Sequence, residues 1–276
     1  MILYNQKEGK PMSAKVIYNY NFKGGTGKTT LSVIEAYLLS QNNRDILFVD
    51  LDPQSNATDM FNVTFKTEMN PTTPLVDGLT KGNLANTIIK LDEHLSVMPS
   101  DWSMSLFNDR VDRIDTKTRS TILARLLQPF MDNFEYIFVD TPPSMSSITN
   151  NALFAADYVT AVVQTQRASF QSSIQTLAYY NQFKKDYDAH YQFAGAILYL
   201  FATGGAIDKE VVAKAKDFFG DAIFVNKIYH RERVKRWAEK GIKLENSDAW
   251  DKRTAAMYKL VTNEMLKRIG DNNYVR

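Results

Sequence analysis

The stretch Phe22-Lys23-Gly24-Gly25-Thr26-Gly27-Lys28-Thr29-Thr30 decides how this chain is read. Before it, Lys15-Val16-Ile17-Tyr18-Asn19-Tyr20-Asn21 is β-branched and aromatic and predicts a buried strand. After it, Leu31, Ile34, Leu38 and Leu39 recur at helical spacing, with Ala36 among them. Strand, glycine-rich turn and helix is the order that a phosphate-binding loop requires. Glycines carry no Cβ, so backbone N–H groups can close on phosphate oxygens, and the helix N-terminus adds partial positive charge. In such a loop Gly24, Gly25, Thr26, Gly27 and Thr30 belong to the cradle, Lys28 reaches the β- and γ-phosphates, and the Thr29 hydroxyl binds Mg²⁺.

Two further strands end in acids. Asp45-Ile46-Leu47-Phe48-Val49-Asp50 runs into Asp50-Leu51-Asp52-Pro53-Gln54, and Tyr136-Ile137-Phe138-Val139 runs into Asp140. Ligands of open parallel sheets bind at the carboxyl ends of strands, so these acids are expected to face Lys28. Phosphoryl transfer to water needs an oriented nucleophile and neutralised charge, which suits a carboxylate near the γ-phosphate and another on Mg²⁺. Capping the next helix is the competing role for Asp140.

More strands are expected at Leu95–Ser100, Tyr158–Val163, Phe193–Leu200 and Ala222–Asn226. Helices are expected over 102–115, 118–131, 169–186, 207–219 and 248–269. Pro71, Pro74, Gly78 and Gly82 break 62–86 into loops and short helices. This alternation predicts an α/β fold, a doubly wound, mostly parallel sheet with helices on both faces. We expect residues 1–14 to be an N-terminal extension and 15–276 one domain.

The 276 residues carry 33 basic and 31 acidic side chains, so net charge says little about partners. With no cysteine there is neither a disulfide framework nor a thiolate metal site. No apolar run approaches the length of a membrane span, and Met1 to Ser13 lack the apolar core of a signal peptide, which argues for a cytoplasmic location. Charge gathers instead between Lys227 and Lys243, where Lys227, Arg231, Arg233, Lys235, Arg236, Lys240 and Lys243 face only Glu232 and Glu239. Such a cluster is the footprint of nucleic-acid binding, although the four cations from Arg231 to Arg236 cannot share one helix face. His230, like the other two histidines, reads as a surface residue.

The first glycine of the usual G-x-x-x-x-G-K-[ST] pattern is Phe22 here, and a second lysine, Lys23, precedes Gly24-Gly25. This K-G-G-x-G-K-[ST] loop resembles the deviant Walker A motif of the ParA/MinD family of ATPases, and the chain as a whole resembles ParA/Soj-type partition ATPases. The segments from Val49 to Thr58 and from Asp140 to Ser144 are similar to the Walker A′ and D-[ST]-P-P segments of that family. The resemblance implies ATP and Mg²⁺ as ligands, with Lys23 reaching the phosphates of the partner protomer in a nucleotide-sandwich homodimer. It implies that Asp52 positions the attacking water, that Asp50 supports the Mg²⁺ shell with Thr29 and Asp140, and that Ile228 and Tyr229 touch the nucleotide. It further implies slow ATP hydrolysis, stimulated by a ParB-like centromere-binding partner, and non-specific double-stranded DNA binding on the bacterial nucleoid. Arg231, Arg233, Lys235, Arg236 and Lys240 are the expected DNA contacts. Where many relatives place Asn or Thr-Met, this chain has Tyr199-Leu200-Phe201, and where relatives have Ile-Pro-Arg it has Ile228-Tyr229-His230, so the base-reading groups stay open. MinD-like membrane positioning, a capsule-type tyrosine kinase and a metabolic ligase are the rival readings. The polar tail from Gly270 to Arg276 argues against the membrane and carries a single tyrosine, Tyr274.

Overall fold

The computed structural model describes residues 13–164, 167–201, 206–244 and 248–275. The run before the glycine loop forms β1 (Lys15–Tyr20), and the periodic run after it forms α1 (Lys28–Ser40). Then follow β2 (Ile46–Asp50), α2 (Asn56–Phe65), α3 (Leu75–Lys81), β3 (Ile89–Lys90) and β4 (Leu95–Met98). Next come α4 (Phe107–Val111), α5 (Thr116–Ser120), α6 (Ile122–Leu127), β5 (Tyr136–Asp140), α7 (Ser147–Ala155) and β6 (Tyr158–Gln164). The last elements are α8 (Arg167–Tyr187), β7 (Gln192–Phe201), α9 (Ala206–Phe219), β8 (Ile228–Tyr229), α10 (Glu232–Lys240) and α11 (Ala249–Arg268).

The strands make one sheet in the order β3-β4-β2-β5-β1-β6-β7-β8, parallel except where β3 pairs with β4. The period-two alternation of side chains sorts each strand between two cores. Val16, Tyr18 and Tyr20 pack under α3 to α9, whereas Ile17 faces α1, α2, α10 and α11. The sheet is therefore covered on both faces, which explains why its central strands are largely apolar, with the buried Asn19 of β1 and Thr160 of β6 bonded to each other. The expected doubly wound α/β fold is what forms.

Three local expectations change. The helices expected over 102–115 and 118–131 are broken into short pieces. The first starts at the Asp101 cap as a 3₁₀ turn over Trp102–Leu106, passes into α4 and ends at Val111. The second is interrupted at Thr121, at φ −102° and ψ 0°, where Asn151 takes the Leu123 N–H and the Arg119 carbonyl that a continuous helix would pair. The start of the segment 62–86 is regular, because α2 continues to Phe65. The strand expected at 222–226 does not form. A single bridge remains, Ile223 with Ala196, where the Phe224 N–H reaches the Ala196 carbonyl at 2.8 Å. Helix α11 takes groups on either side of it, the Glu264 carboxylate accepting the N–H groups of Val225 and Asn226, both at 2.9 Å, and Arg268 donating to the Ile223 carbonyl at 2.7 Å. Pairing resumes at β8, where Ile228 joins Tyr199.

The C-terminal tail is also tied down. Asp271 accepts from Arg44 Nη2 at 2.6 Å, and Asn263 exchanges two hydrogen bonds with the Val275 backbone. Among the described residues, no helix is long and apolar enough to cross a membrane. Of the expected N-terminal extension, residues 1–12 lie outside the described residues, and Ala14 is buried with its N–H on Met131 O at 2.7 Å.

Candidate nucleotide site

β1 ends beneath the loop, and its neighbours β5 and β6 frame it. Asn21, buried at the end of β1, accepts the Lys23 N–H and donates to the Val162 carbonyl of β6, so the loop leaves the sheet at a fixed angle. Gln164, at the end of β6, donates to the Gly25 carbonyl at 2.6 Å. Gly27 caps α1 at φ 92°, in the left-handed region open to glycine. The Tyr199 ring fills the space beside it, because a Cβ on Gly27 would lie 2.0 Å from that ring. The Tyr199 hydroxyl is in turn paired with that of Tyr258 on α11 at 2.6 Å. The loop is thus held from three strands and the last helix before any ligand arrives.

Residues Gly24 to Thr30 form one wall of a cleft of about 670 Å³, a size suited to a small-molecule ligand. Asp52, Gln54, Asn56, Asp59 and Met60 form the side towards α2, and Arg231, Val234, Lys235 and Ala238 the side towards α10. Pro143, Tyr199 and His230 complete the lining. Lys28 is only 5% exposed; burial lowers its pKa, and the charges of Asp140 and Asp52 oppose that shift.

Thr29 Oγ1 donates to Asp140 Oδ2 at 2.7 Å. Asp140 Oδ1 is buried and has no hydrogen-bond partner among the described residues. Asp50 sits across from Asp140 in the β2–β5 register, with both carboxylates fully buried. Burial, reinforced by the neighbouring Asp140 charge, pushes the Asp50 carboxyl above its ordinary range, and burial likewise raises that of Asp140. A cation beside the pair would reverse that cost. The set fits Mg²⁺, which takes few protein ligands and keeps waters and substrate phosphates as the rest. An orphaned carboxylate oxygen next to a threonine hydroxyl is the kind of partial shell it uses. Among the described residues no group of three or more acidic, histidine or cysteine side chains is placed to hold a metal ion.

Asp140 does not cap α7; Ser146 does, accepting the Thr149 N–H. Asp50 is engaged by its own loop. Its Oδ1 accepts the Asp52 N–H at 3.0 Å, and its Oδ2 accepts the Thr58 N–H and hydroxyl at 3.0 and 2.7 Å. Asp50 therefore braces the Asp52 turn with both of its oxygens engaged. Neither Asp50 nor Asp140 lines the cleft, and Asp140 alone of the two keeps an oxygen without a partner among the described residues. Asp52 is presented to the cleft, with Oδ1 accepting the Gln54 N–H at 3.0 Å. Lys23 stands half-buried at the start of the loop, outside the cleft lining.

Two sets of expected contacts are placed differently by the fold. Ile228 is fully buried in the core beneath β8, and Tyr229 gives its N–H to Met257 Sδ, so neither lines the cleft; the next two residues, His230 and Arg231, do. The basic cluster is split. Arg231 and Lys235 line the cleft, Arg236 and Lys240 are exposed elsewhere, and Arg233 turns in to Asp248 at 2.7 Å and Asp251 at 3.3 Å. Sequence reasoning missed the support that Tyr199 and Gln164 give the loop and, on the α2 side of the cleft, Asp59 and Met60, which lie beyond the Val49–Thr58 motif.

A phosphate loop closing the first strand of a doubly wound sheet, with an acid at the end of the adjacent strand, defines a P-loop nucleotide-binding protein. Residues 14–193 match the AAA domain family, and the chain belongs to that family as a ParA/Soj-type ATPase. Sporulation initiation inhibitor protein Soj of Bacillus subtilis is 29% identical over 222 residues, 80% of this chain and 86% of that protein. A plasmid partition protein of Borrelia burgdorferi bound to AMPPNP is 25% identical, with TM-score 0.76 over 92% of this chain and 99% of that one. An ATP complex of Cyanothece McdA has TM-score 0.83 at 23% identity, covering 96% and 100%. The fold extends to cobyrinic acid a,c-diamide synthase of Mycobacterium smegmatis, with TM-score 0.78 at 20% identity over 95% and 98%.

Proposed function

We propose that this chain is a cytoplasmic partition ATPase that binds ATP with Mg²⁺, hydrolyses it slowly and uses the nucleotide state as a switch for holding DNA. The observation that carries this reading is a loop-walled cleft lined by Lys28, Thr29 and Asp52, with the buried Asp140 carboxylate behind it bonded to Thr29 Oγ1. Mg²⁺, when bound, neutralises charge building on the transferred phosphoryl group. Thr29 and Asp140 would hold it, Lys28 would contact the β- and γ-phosphates, and the backbone from Gly24 to Thr30 would cradle them. Asp52, kept in place by the Asp50 brace, would orient the attacking water and accept its proton. Lys23, at the start of the loop and outside the cleft lining, is the residue to reach a partner protomer in an ATP-bound homodimer.

That dimer would bind double-stranded DNA without sequence preference through the basic region around α10, on the nucleoid. Hydrolysis, stimulated by a ParB-like centromere-binding partner, would release it. Support comes from the relatives that are named for partition and from the surplus of cations between Lys227 and Lys243. The test is fluorescence anisotropy of a random-sequence duplex with ATP, with ADP and without nucleotide, across salt. Binding that needs ATP, ignores sequence and falls steeply with salt is the expected result. Absence of any DNA binding refutes it. A ligase on the same fold is the second reading, favoured by the likeness to the cobyrinic acid enzyme, and it requires ATP turnover that depends on a small carboxylic substrate.

A further inference from the structure

Helix α10 is cationic and two-sided. Its buried anchors are Val234 and Trp237. Arg231, Val234, Lys235 and Ala238 follow at i, i+3, i+4 and i+7, which places them along one stripe, and these are the residues of this segment that line the cleft. Arg236 and Lys240, themselves i and i+4, occupy a different stripe and are exposed outside the cleft. Arg233, three residues before Arg236 and on the same side of the helix, is set apart by its ion pairs with Asp248 and Asp251. A sequence window counts these five cations as one cluster; the helix divides them into three groups.

The cleft bears on what each group can bind. At about 670 Å³ and walled by the phosphate loop, it has the size of a small-molecule site, and a stiff duplex cannot follow a side chain into it. Lys235 has one ion pair, with Glu232 at 3.4 Å, and both side chains are about two-thirds exposed (66% and 70%). Such a pair is weak and easily exchanged for a stronger anion. A nucleoside triphosphate carries all of its negative charge on its phosphates, more than the single Lys28 cation of the loop offsets, and Arg231 and Lys235 line the same cleft.

Building on the nucleotide and DNA reading above, we propose that Arg231 and Lys235 contact the anionic part of the bound nucleotide, whereas Arg236 and Lys240 contact DNA phosphates. Nucleotide and DNA then grip opposite sides of one helix, and the bound nucleotide fixes the orientation in which the outer cations are presented.

The test compares two double variants, Arg231→Gln with Lys235→Gln and Arg236→Gln with Lys240→Gln, each replacing exposed side chains. The first measurement is affinity for a fluorescent ATP analogue with Mg²⁺ and no DNA. The inner variant should lose about tenfold, the effect of two part-exposed charge-assisted contacts, and the outer variant should be unchanged. The charge-keeping pair Arg231→Lys with Lys235→Arg should retain most of the affinity, which a purely structural role for these residues would not require. The second measurement is the slope of log K for duplex DNA against log salt at saturating nucleotide. The outer variant should flatten it by about 1.8, from two phosphate contacts at about 0.9 each, and the inner variant should leave it unchanged. Unchanged ATP affinity in the inner variant, or a flattened slope there, overturns the assignment. If the wild-type chain binds no DNA, the partition reading falls, while the ATP measurement still decides the role of Arg231 and Lys235.

Discussion

Replacing Glu35 by Gln should stabilise the protein, by an amount that depends on pH. Glu35 sits in the middle of α1 and is fully buried against β1. Its Oε2 accepts from Asn19 Nδ2 at 2.8 Å, and its Oε1 has no partner. Tyr199 and Tyr258 are the titratable groups facing it, and neither supplies positive charge. Burial pushes the carboxyl up to about 8 from an ordinary value of 4.5, against the opposing Asn19 hydrogen bond. The folded state therefore holds a proton at pH 7 that the unfolded chain has released. The stability associated with that proton is fully present below pH 4.5 and is lost as pH rises towards 8. At 1.36 kcal/mol per unit, the loss by pH 7 is about 3.4 kcal/mol. Gln keeps the acceptor for Asn19 and loses no proton on unfolding, but it adds an amide donor beside an oxygen site that has no partner, at a cost of about 1 kcal/mol. The net gain is about 2 kcal/mol at neutral pH, or roughly 4–8 °C in Tm for a chain of this size. Urea and thermal melts of both proteins at a series of pH values from 4 to 9 measure it directly. The gap in stability should be small or reversed near pH 4, widen through pH 7 and level off above 8. A gap that is constant with pH, or a variant less stable at pH 8, refutes the reasoning that Glu35 is held neutral.

Three other substitutions test the site and its support. Gly27→Ala meets both a φ of 92° and a ring carbon 2.0 Å away, so it should cost several kcal/mol and abolish nucleotide binding; nucleotide affinity equal to wild type would show that the loop relaxes freely. Lys28→Ala should abolish ATP binding in equilibrium fluorescence titrations, whereas Asp52→Ala should bind ATP but fail to turn it over and accumulate as a dimer in light scattering. A monomeric, ATP-bound Asp52→Ala protein would remove Asp52 from water positioning. Trp237→Phe deletes the indole N–H that donates to Asp251 at 2.8 Å and should lower stability by about 1–3 kcal/mol in urea melts, without changing ATP affinity.

The phosphate loop and the strand-end acids were legible because each depends on local chemistry. Gly27 must adopt a positive φ, Lys28 and Thr29 must follow it at the helix start, and β-branched or aromatic runs before Asp50 and Asp140 have few alternatives to a buried strand. The expected helices at 102–131 and the strand at 222–226 failed for the complementary reason. A local propensity cannot register that Asn151, some thirty residues later, takes the Leu123 N–H and the Arg119 carbonyl, or that Glu264 and Arg268, some forty residues later, take hydrogen bonds a strand would need.

By itself, then, the sequence determined the α/β alternation, the phosphate loop and the membership of the ParA/Soj type, since period, glycine placement and motif spacing are properties of neighbouring residues. Only the tertiary structure decided that Tyr199 closes against Gly27, that Asp50 braces the turn carrying Asp52, and that the cations of α10 divide between a cleft, an ion pair and open surface. Those outcomes depend on which distant elements pack together, and the energy of a side chain there is set by its partners and its burial, neither of which is written in the residues beside it.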